Sequence, residues 1–187
     1  RMAVDFRQIN LHTTADAHPL PNPTEALAAF GSATWFSALD ASSAFHQIQL
    51  NDPDKIKTTV SFPWGAYYYE SMPFGLAGAS TTYQRMIDAV LSGLAWHSGT
   101  TSPHFVMAYV DDVIVYSSDT LQDHSDKLMQ VLDRLGGSGM VLKPSKCFFA
   151  MREVEFLGHI VSADGTHMID KKLDAIRELL PDGVPPD

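Results

Sequence analysis

The period of the apolar positions changes several times along the chain, and each change marks an element. Thr34 to Leu39 is an apolar run that reads as a buried strand delivering Asp40 at its end. Lys57 to Glu70 is rich in Thr, Val, Tyr and Phe and breaks at Pro63-Trp64-Gly65, which predicts a hairpin. Tyr83, Met86, Ile87, Val90, Leu91 and Leu94 recur at helical spacing and predict a helix over Ala79 to Leu94. A polar loop is expected over His97 to Pro103. Phe105 to Val110 and Val113 to Tyr116 are two apolar runs with only Asp111-Asp112 between them, so a hairpin with an acidic tip follows.

The flanking segments are read by their punctuation. Met2 to Phe6 is strand-like. His18 to Pro23 must be extended, because each proline fixes its own φ and restricts its predecessor. Thr24 is expected to cap a short helix through Phe30 that Gly31 ends. Thr120 and Asp123 form a capping-box-like start to a helix carrying Leu121, Leu128, Val131, Leu132 and Leu135, closed by Gly136-Gly137. Short strands return from Cys147 to Val161, with a turn at Asp164-Gly165 and a last helix over Asp170 to Leu180. Strands and helices mix without βαβ alternation, so the fold class is α+β with an antiparallel sheet.

Composition bounds what this pattern can be. A chain of 187 residues with 45% hydrophobic and 19% charged positions can bury one core of ordinary globular kind. No run of eighteen apolar residues occurs, so no membrane span or membrane partner is expected. No charged-then-apolar leader suggests secretion. Cys147 is the single cysteine, which excludes an internal disulfide and a paired-cysteine zinc site and suits a reducing, intracellular setting. The chain opens at Arg1 and is expected to be a piece of something longer. Its net charge of −9 runs against nucleic-acid binding, which usually shows as basic patches.

The adjacent aspartates change that picture. Asp is common in turns, yet a two-residue hairpin favours Asn-Gly or Asp-Gly, which accept positive φ. Two carboxylates ~4 Å apart would repel by about 4 kcal/mol at an effective dielectric near 20. A divalent cation turns that repulsion into binding energy, and magnesium takes a few carboxylates plus substrate phosphates. On these residues alone a metal site and a solvated turn stand as equal readings. Asp40 also ends an apolar strand, and an antiparallel sheet could bring it beside the hairpin tip as a third carboxylate for two ions. On spacing alone, a helix cap is the favoured reading of Asp40. Asp52-Pro53-Asp54 lacks the Gly and closing Glu of a calcium loop, and Gly136-Gly137-Ser138-Gly139 lacks the Gly-Lys-Ser/Thr of a P-loop.

Tyr109-Val110-Asp111-Asp112 resembles the signature of reverse transcriptases, and its surroundings resemble the LTR-retrotransposon type, above all the gypsy-like pol polyprotein, and more distantly retroviral enzymes. Arg1 to Asn10 resembles the family's fingers strand, and Pro19-Leu20-Pro21 its proline-rich link. Phe36-Ser37-Ala38-Leu39-Asp40, continuing to Phe45-His46-Gln47-Ile48, resembles the first catalytic motif. Met72-Pro73-Phe74-Gly75-Leu76, with Tyr83-Gln84-Arg85, resembles the template-and-nucleotide motif. Pro144-Ser145-Lys146-Cys147 and Phe156-Leu157-Gly158-His159 resemble the last two palm motifs, all in family order from Arg1 to Gly165.

The resemblance implies a single polymerase palm with part of the fingers: 1–35 and 48–80 as fingers and palm elements, 36–47 and 81–165 as palm, 166–187 as the start of a connection to a thumb. It implies two Mg2+ ions, with Mn2+ as a substitute, held by Asp40, Asp111, Asp112 and the backbone oxygen of Ala41. Arg1, Phe45, Gln84 and Lys146 would meet the nucleotide: Arg1 its triphosphate, Phe45 its sugar, Lys146 the departing pyrophosphate. Arg7, Phe74, Gly75, Phe156, Leu157 and Gly158 would meet template or primer. Read without the family, Phe45 and Phe156 are core, Gly75 and Gly158 turn residues, and Gln84 and Lys146 exposed surface positions. His124 is expected to pack rather than react. Gly78-Ala79-Ser80 stands where the family has Asn-Ala-Pro, Lys143 where it has Asn, and the loop from Trp96 to Pro103 is longer than usual.

The implied activity is RNA-directed DNA polymerisation, adding dNTPs to a primer on an RNA or DNA template. Thumb, ribonuclease H and integrase modules are its expected neighbours, and the cytoplasm or a virus-like particle its expected place. A truncated palm that binds nucleic acid or partner subunits without catalysis is the alternative. A viral RNA-dependent RNA polymerase is less favoured, since those palms carry Gly before the acidic pair.

Overall fold

The computed structural model describes residues 4–14, 16–96 and 104–169. The expected loop over His97 to Pro103 and the expected helix over Asp170 to Leu180 lie outside the described residues, as does Arg1. Arg7–Asn10 forms a short helix, α1, where a strand was expected. The cause is local: the Asp5 carboxylate accepts the Arg7 N–H at 3.0 Å and grips its guanidinium, turning the backbone. Asn22, not Thr24, caps the next helix. Its side chain accepts the Thr24 N–H at 3.0 Å, Pro23 takes the first position, and α2 spans Pro23–Ala28.

β1 (Trp35–Asp40) follows, then a single turn, α3 (Asp52–Lys55). β2 (Val60–Phe62) and β3 (Gly65–Tyr67) make the expected hairpin about Pro63-Trp64. α4 (Ala79–Val90) stops short of Leu94, where the chain turns at Gly93 with φ +81°. β4 (Val106–Tyr109) and β5 (Asp112–Ser117) form the second hairpin, with Tyr109 and Asp112 as register partners. Its tip is therefore Val110-Asp111, one residue earlier than the sequence suggested. α5 (Leu121–Gly137) opens with the Thr120 hydroxyl accepting the Asp123 N–H at 3.2 Å. It runs through the glycine pair expected to close it and ends before Gly139, φ +78°. β6 (Phe148–Met151), β7 (Glu153–Phe156), β8 (His159–Ser162) and β9 (Gly165–Met168) complete the described chain.

The strands form three antiparallel sheets among the described residues, ordered β4-β5-β1-β6, β2-β3 and β7-β8-β9, which gives the α+β class read from the sequence. Strand alternation sends side chains of the four-stranded sheet to two cores. Leu39, Val106, Ala108, Val113 and Val115 pack with Tyr83, Ile87 and Leu91 of α4 and Val131 and Leu135 of α5. Phe36, Met107, Ile114 and Tyr116 pack on the other face with Ala26, Phe30, Val154, Phe156 and Val161. Phe36 and Ile114 are 0% exposed, each worth about 1.5–3 kcal/mol of burial. The sheet is thus covered on both faces, and its uncovered end carries the acidic residues. None of the described helices is long and apolar enough to cross a membrane.

Candidate active site

β1 and β5 are in register so that Asp40 and Asp112 are direct cross-strand partners. Side chains so paired share a face, with Cβ atoms about 4.5–5.5 Å apart. Asp111 sits at the second position of the tip, and its backbone oxygen accepts the Ala41 N–H at 3.3 Å. That bond fixes the hairpin against the end of β1, so the backbone brings all three aspartates to one sheet edge.

The tip itself is strained. Val110 has φ +52°, a conformation that costs a β-branched residue about 1–3 kcal/mol. Gln84 over-determines it from α4. This fully buried carboxamide accepts the Val110 N–H at 2.7 Å and donates to the Ala108 carbonyl at 3.0 Å and to Asp88 at 2.9 Å. The second Asp88 oxygen meets His18 Nε2 at 2.7 Å. The sequence reading gave Gln84 to the nucleotide pocket or to exposed surface. The structure puts it beneath the hairpin, where its hydrogen-bonding capacity is spent on the protein.

Lys146 ends a 3-10 turn, Pro144–Lys146, and its Nζ donates to Asp40 Oδ2 at 2.7 Å. The Lys143 N–H donates to the Asp40 carbonyl at 2.8 Å, which brings this turn to the end of β1. The Asp40 bond pushes the Lys146 pKa up. At Asp112 burial pushes the pKa up, the charges of Asp111 and Asp40 add to the rise, and Lys146 opposes it. Negative charge is therefore crowded at this edge. Among the described residues, however, no group of three or more His, Cys, Asp or Glu side chains is arranged to hold a metal ion. Asp40 is paired with the Lys146 ammonium at 2.7 Å.

A cavity of about 530 Å³ opens beside Asp40, Ala41 and Asp111, walled by His46, Phe74, Lys143 and Lys146. Phe45 lies behind this wall, not in it, its ring edge-on to Phe74 at 5.3 Å and to Tyr83 at 5.9 Å. The loop carrying Phe74 and Gly75 (φ +92°) is pinned by Asn10, whose amide donates to the Gly75 carbonyl and accepts the Ala77 N–H, each at 2.8 Å. The sequence gave no sign of that clamp. A second cavity, about 360 Å³, lies on the Asp112 side and is lined by Lys146, Phe148, Glu155, Leu157 and Gly158. Leu157 and Gly158 form the two-residue turn between β7 and β8, with φ +49° and +74°. Phe156, expected to meet the primer, is 3% exposed and packs on Phe30 at 5.7 Å, because the alternation of β7 turns it inward. Arg7, expected near the template, is exposed and forked to Asp5 at 2.6 Å. His124 is buried as expected, held between the Ser37 hydroxyl (2.8 Å) and the Ser117 hydroxyl (3.0 Å), and burial lowers its pKa.

Comparison with known proteins adds an independent line. The family model described as reverse transcriptase (RNA-dependent DNA polymerase) matches residues 1–161. The chain is 39% identical over 181 residues to the retrovirus-related Pol polyprotein from transposon opus of Drosophila melanogaster, covering 97% of this chain and 17% of that protein. It is 38% identical over 178 residues to the Pol polyprotein from transposon gypsy of the same fly, covering 95% and 16%. The enzymatic polyprotein of Cestrum yellow leaf curling virus is 31% identical over 98% of this chain and 28% of its own length. The chain thus spans less than a third of each. Among solved structures, the foamy viral protease-reverse transcriptase in complex with an RNA/DNA hybrid superposes with a TM-score of 0.82 at 19% identity, covering 97% of this chain and 23% of that one.

Proposed function

The chain belongs to the reverse transcriptase (RNA-dependent DNA polymerase) family, and from that premise we propose that its acidic sheet edge is the nucleotidyl-transfer site of an RNA-directed DNA polymerase. The observation that carries the reading is the register pairing of Asp40 with Asp112 beside Asp111. The donor set suits a hard divalent cation: burial, and then the charges of Asp111 and Asp40, raise the pKa of Asp112, and a positive charge at this edge would offset both. Asp40, Asp111, Asp112 and the Ala41 carbonyl would hold Mg2+, as a pair of ions. Such ions supply the charge that activates a primer hydroxyl and steadies a triphosphate.

This chain's own residues do the rest. Gln84 holds the strained tip so that Asp111 and Asp112 present from a fixed backbone. Lys146, bound to Asp40, stands with Lys143 in the wall of the cavity that a dNTP would enter, where both could meet its phosphates. Phe74, backed by Phe45, supplies an apolar surface for the sugar. Leu157 and Gly158 face the primer end from the far side of Asp112. Residues 36–47 and 81–165 form the palm of this reading, with 1–35 and 48–80 contributing fingers elements. Template, primer, dNTPs and further polyprotein modules are the partners it requires.

Primer extension by the full-length polymerase carrying this chain tests the proposal. Asp111→Asn should abolish extension while leaving primer–template affinity within about twofold, because a carboxylate-to-amide change leaves the phosphate contacts in place. Extension at the wild-type rate would remove the acidic edge from the reaction.

A further inference from the structure

Three hydrogen bonds in series join His18 to the tip of the β4–β5 hairpin. Its Nε2 meets Asp88 Oδ2 at 2.7 Å, Asp88 Oδ1 accepts the Gln84 amide at 2.9 Å, and Gln84 Oε1 accepts the Val110 N–H at 2.7 Å. A carboxylate can only accept, so His18 presents its Nε2–H to Asp88. The segment carrying His18 is itself anchored. Pro19 restricts the His18 backbone to extended conformations, and the His18 N–H donates to Asp16 Oδ1 at 3.0 Å. Asp16 pairs in turn with Arg85, one turn of α4 before Asp88. The His18 and Asp88 side chains are only 25% and 16% exposed, so water screens their pairing less than it screens an ordinary surface pair.

We infer that His18 is a positioning residue for the acidic edge, acting on Asp111 through Asp88 and Gln84. This role rests on reading that edge as the site of nucleotidyl transfer. With both oxygens engaged, the Asp88 carboxylate cannot turn without breaking a bond, so it offers Gln84 a fixed acceptor. That acceptor and the Ala108 carbonyl hold the two amide N–H groups, which leaves Oε1 on the Val110 N–H. Val110, at φ +52°, directly precedes Asp111. The path of the tip backbone, and with it the direction in which the Asp111 side chain leaves, therefore depends on the far end of the series. A pair that only tied the extended segment to α4 would be felt as stability and no further. The shared carboxylate carries the effect on to the tip.

His18→Ala in the full-length polymerase tests this, together with His18→Gln, Asp88→Ala and the double variant H18A/D88A. Hydrogen exchange of the peptide containing Val110 is followed by mass spectrometry, and single-nucleotide incorporation gives kcat and the dNTP KM. H18A should speed exchange at the tip about three- to tenfold and lower kcat by a similar factor, the scale of coupling through such networks. The KM should stay within about twofold, because the cavity walls are untouched. H18Q keeps an N–H donor and should restore most of both. In the D88A background, H18A should change neither any further. Unchanged tip exchange or unchanged kcat in H18A overturns the inference, even if Tm falls. So does a full H18A loss in the D88A background, or an H18Q no better than H18A. Asp111→Asn, run in parallel, separates this failure from a deeper one. If D111N extends primer at the wild-type rate, the acidic edge is not the site and His18 loses its role in the reaction. If D111N is inactive and H18A is unaffected, the His18 inference alone is lost.

Discussion

The Val110 N–H donates to Gln84 Oε1 at 2.7 Å, from the hairpin tip to a helix 26 positions earlier in the chain. The carboxamide has one workable orientation. Flipped, its oxygen would face the Ala108 carbonyl and the Asp88 carboxylate, which now accept its two N–H groups. Gln84→Ala should therefore destabilise the chain by about 2–4 kcal/mol, since two backbone groups lose their partner, and should slow extension by the full-length enzyme. Urea unfolding measures the first effect, and a loss below about 0.5 kcal/mol would show that the tip holds its shape unaided.

Phe45 stands behind Phe74, so it acts on the cavity through its neighbour. Phe45→Ala in the full-length enzyme should let Phe74 recede and admit a ribose. Overpacking typically costs 1–3 kcal/mol, so the preference for dGTP over GTP should fall by about five- to a hundredfold. Single-nucleotide incorporation of both substrates gives the ratio. Equal slowing of both would leave Phe45 a core residue only.

At Asp112, burial and then the charges of Asp111 and Asp40 raise the pKa above its ordinary 3.8. A raised carboxylate pKa means that the folded chain holds the proton more tightly than the unfolded one. Stability is then lost as pH climbs from the ordinary value through the raised one, and the penalty persists above it. Without metal, Asp112→Asn should raise Tm at pH 7, and the gain should fade below about pH 4. Thermal scans across that range check it; a gain independent of pH would point to packing instead.

Most described cations are already paired: Arg7 with Asp5, Lys55 with Asp52 and Glu70, Lys57 with Asp54, Arg85 with Asp16, Lys127 with Asp123 and Lys146 with Asp40. With a net charge of −9, the 187-residue chain alone should bind primer–template more weakly than about 10⁻⁶ M at physiological salt, and more weakly still as salt rises. Tight binding indifferent to salt would place a basic surface that these pairs do not reveal.

The elements that present the site were legible where local pattern decides structure. The apolar run ending at Asp40 and the 3.6-residue spacing around Tyr83 each record which side chains are buried, and burial is what those patterns encode. The tip was misplaced by one residue because nothing in Val110 favours φ +52°; Gln84 imposes it from a distant helix. α1 was misread because the Asp5–Arg7 fork outweighs strand propensity over so few residues. The Lys146–Asp40 pair is a tertiary fact, and no window of sequence contains both of its ends.

The β2–β3 and β4–β5 hairpins have turns of equal length but opposite tolerance for change. β2 and β3 pair only with each other among the described residues, so an extra residue between Phe62 and Gly65 would lengthen an outlying ribbon and disturb little else. An extra residue between Tyr109 and Asp112 would slide Asp112 past Asp40 and turn every β5 side chain to the opposite core. Across descendants of this sequence, insertions should collect at Pro63-Trp64 and be absent at Val110-Asp111, so that the gaps in such a lineage would mark the acidic edge without reference to any carboxylate.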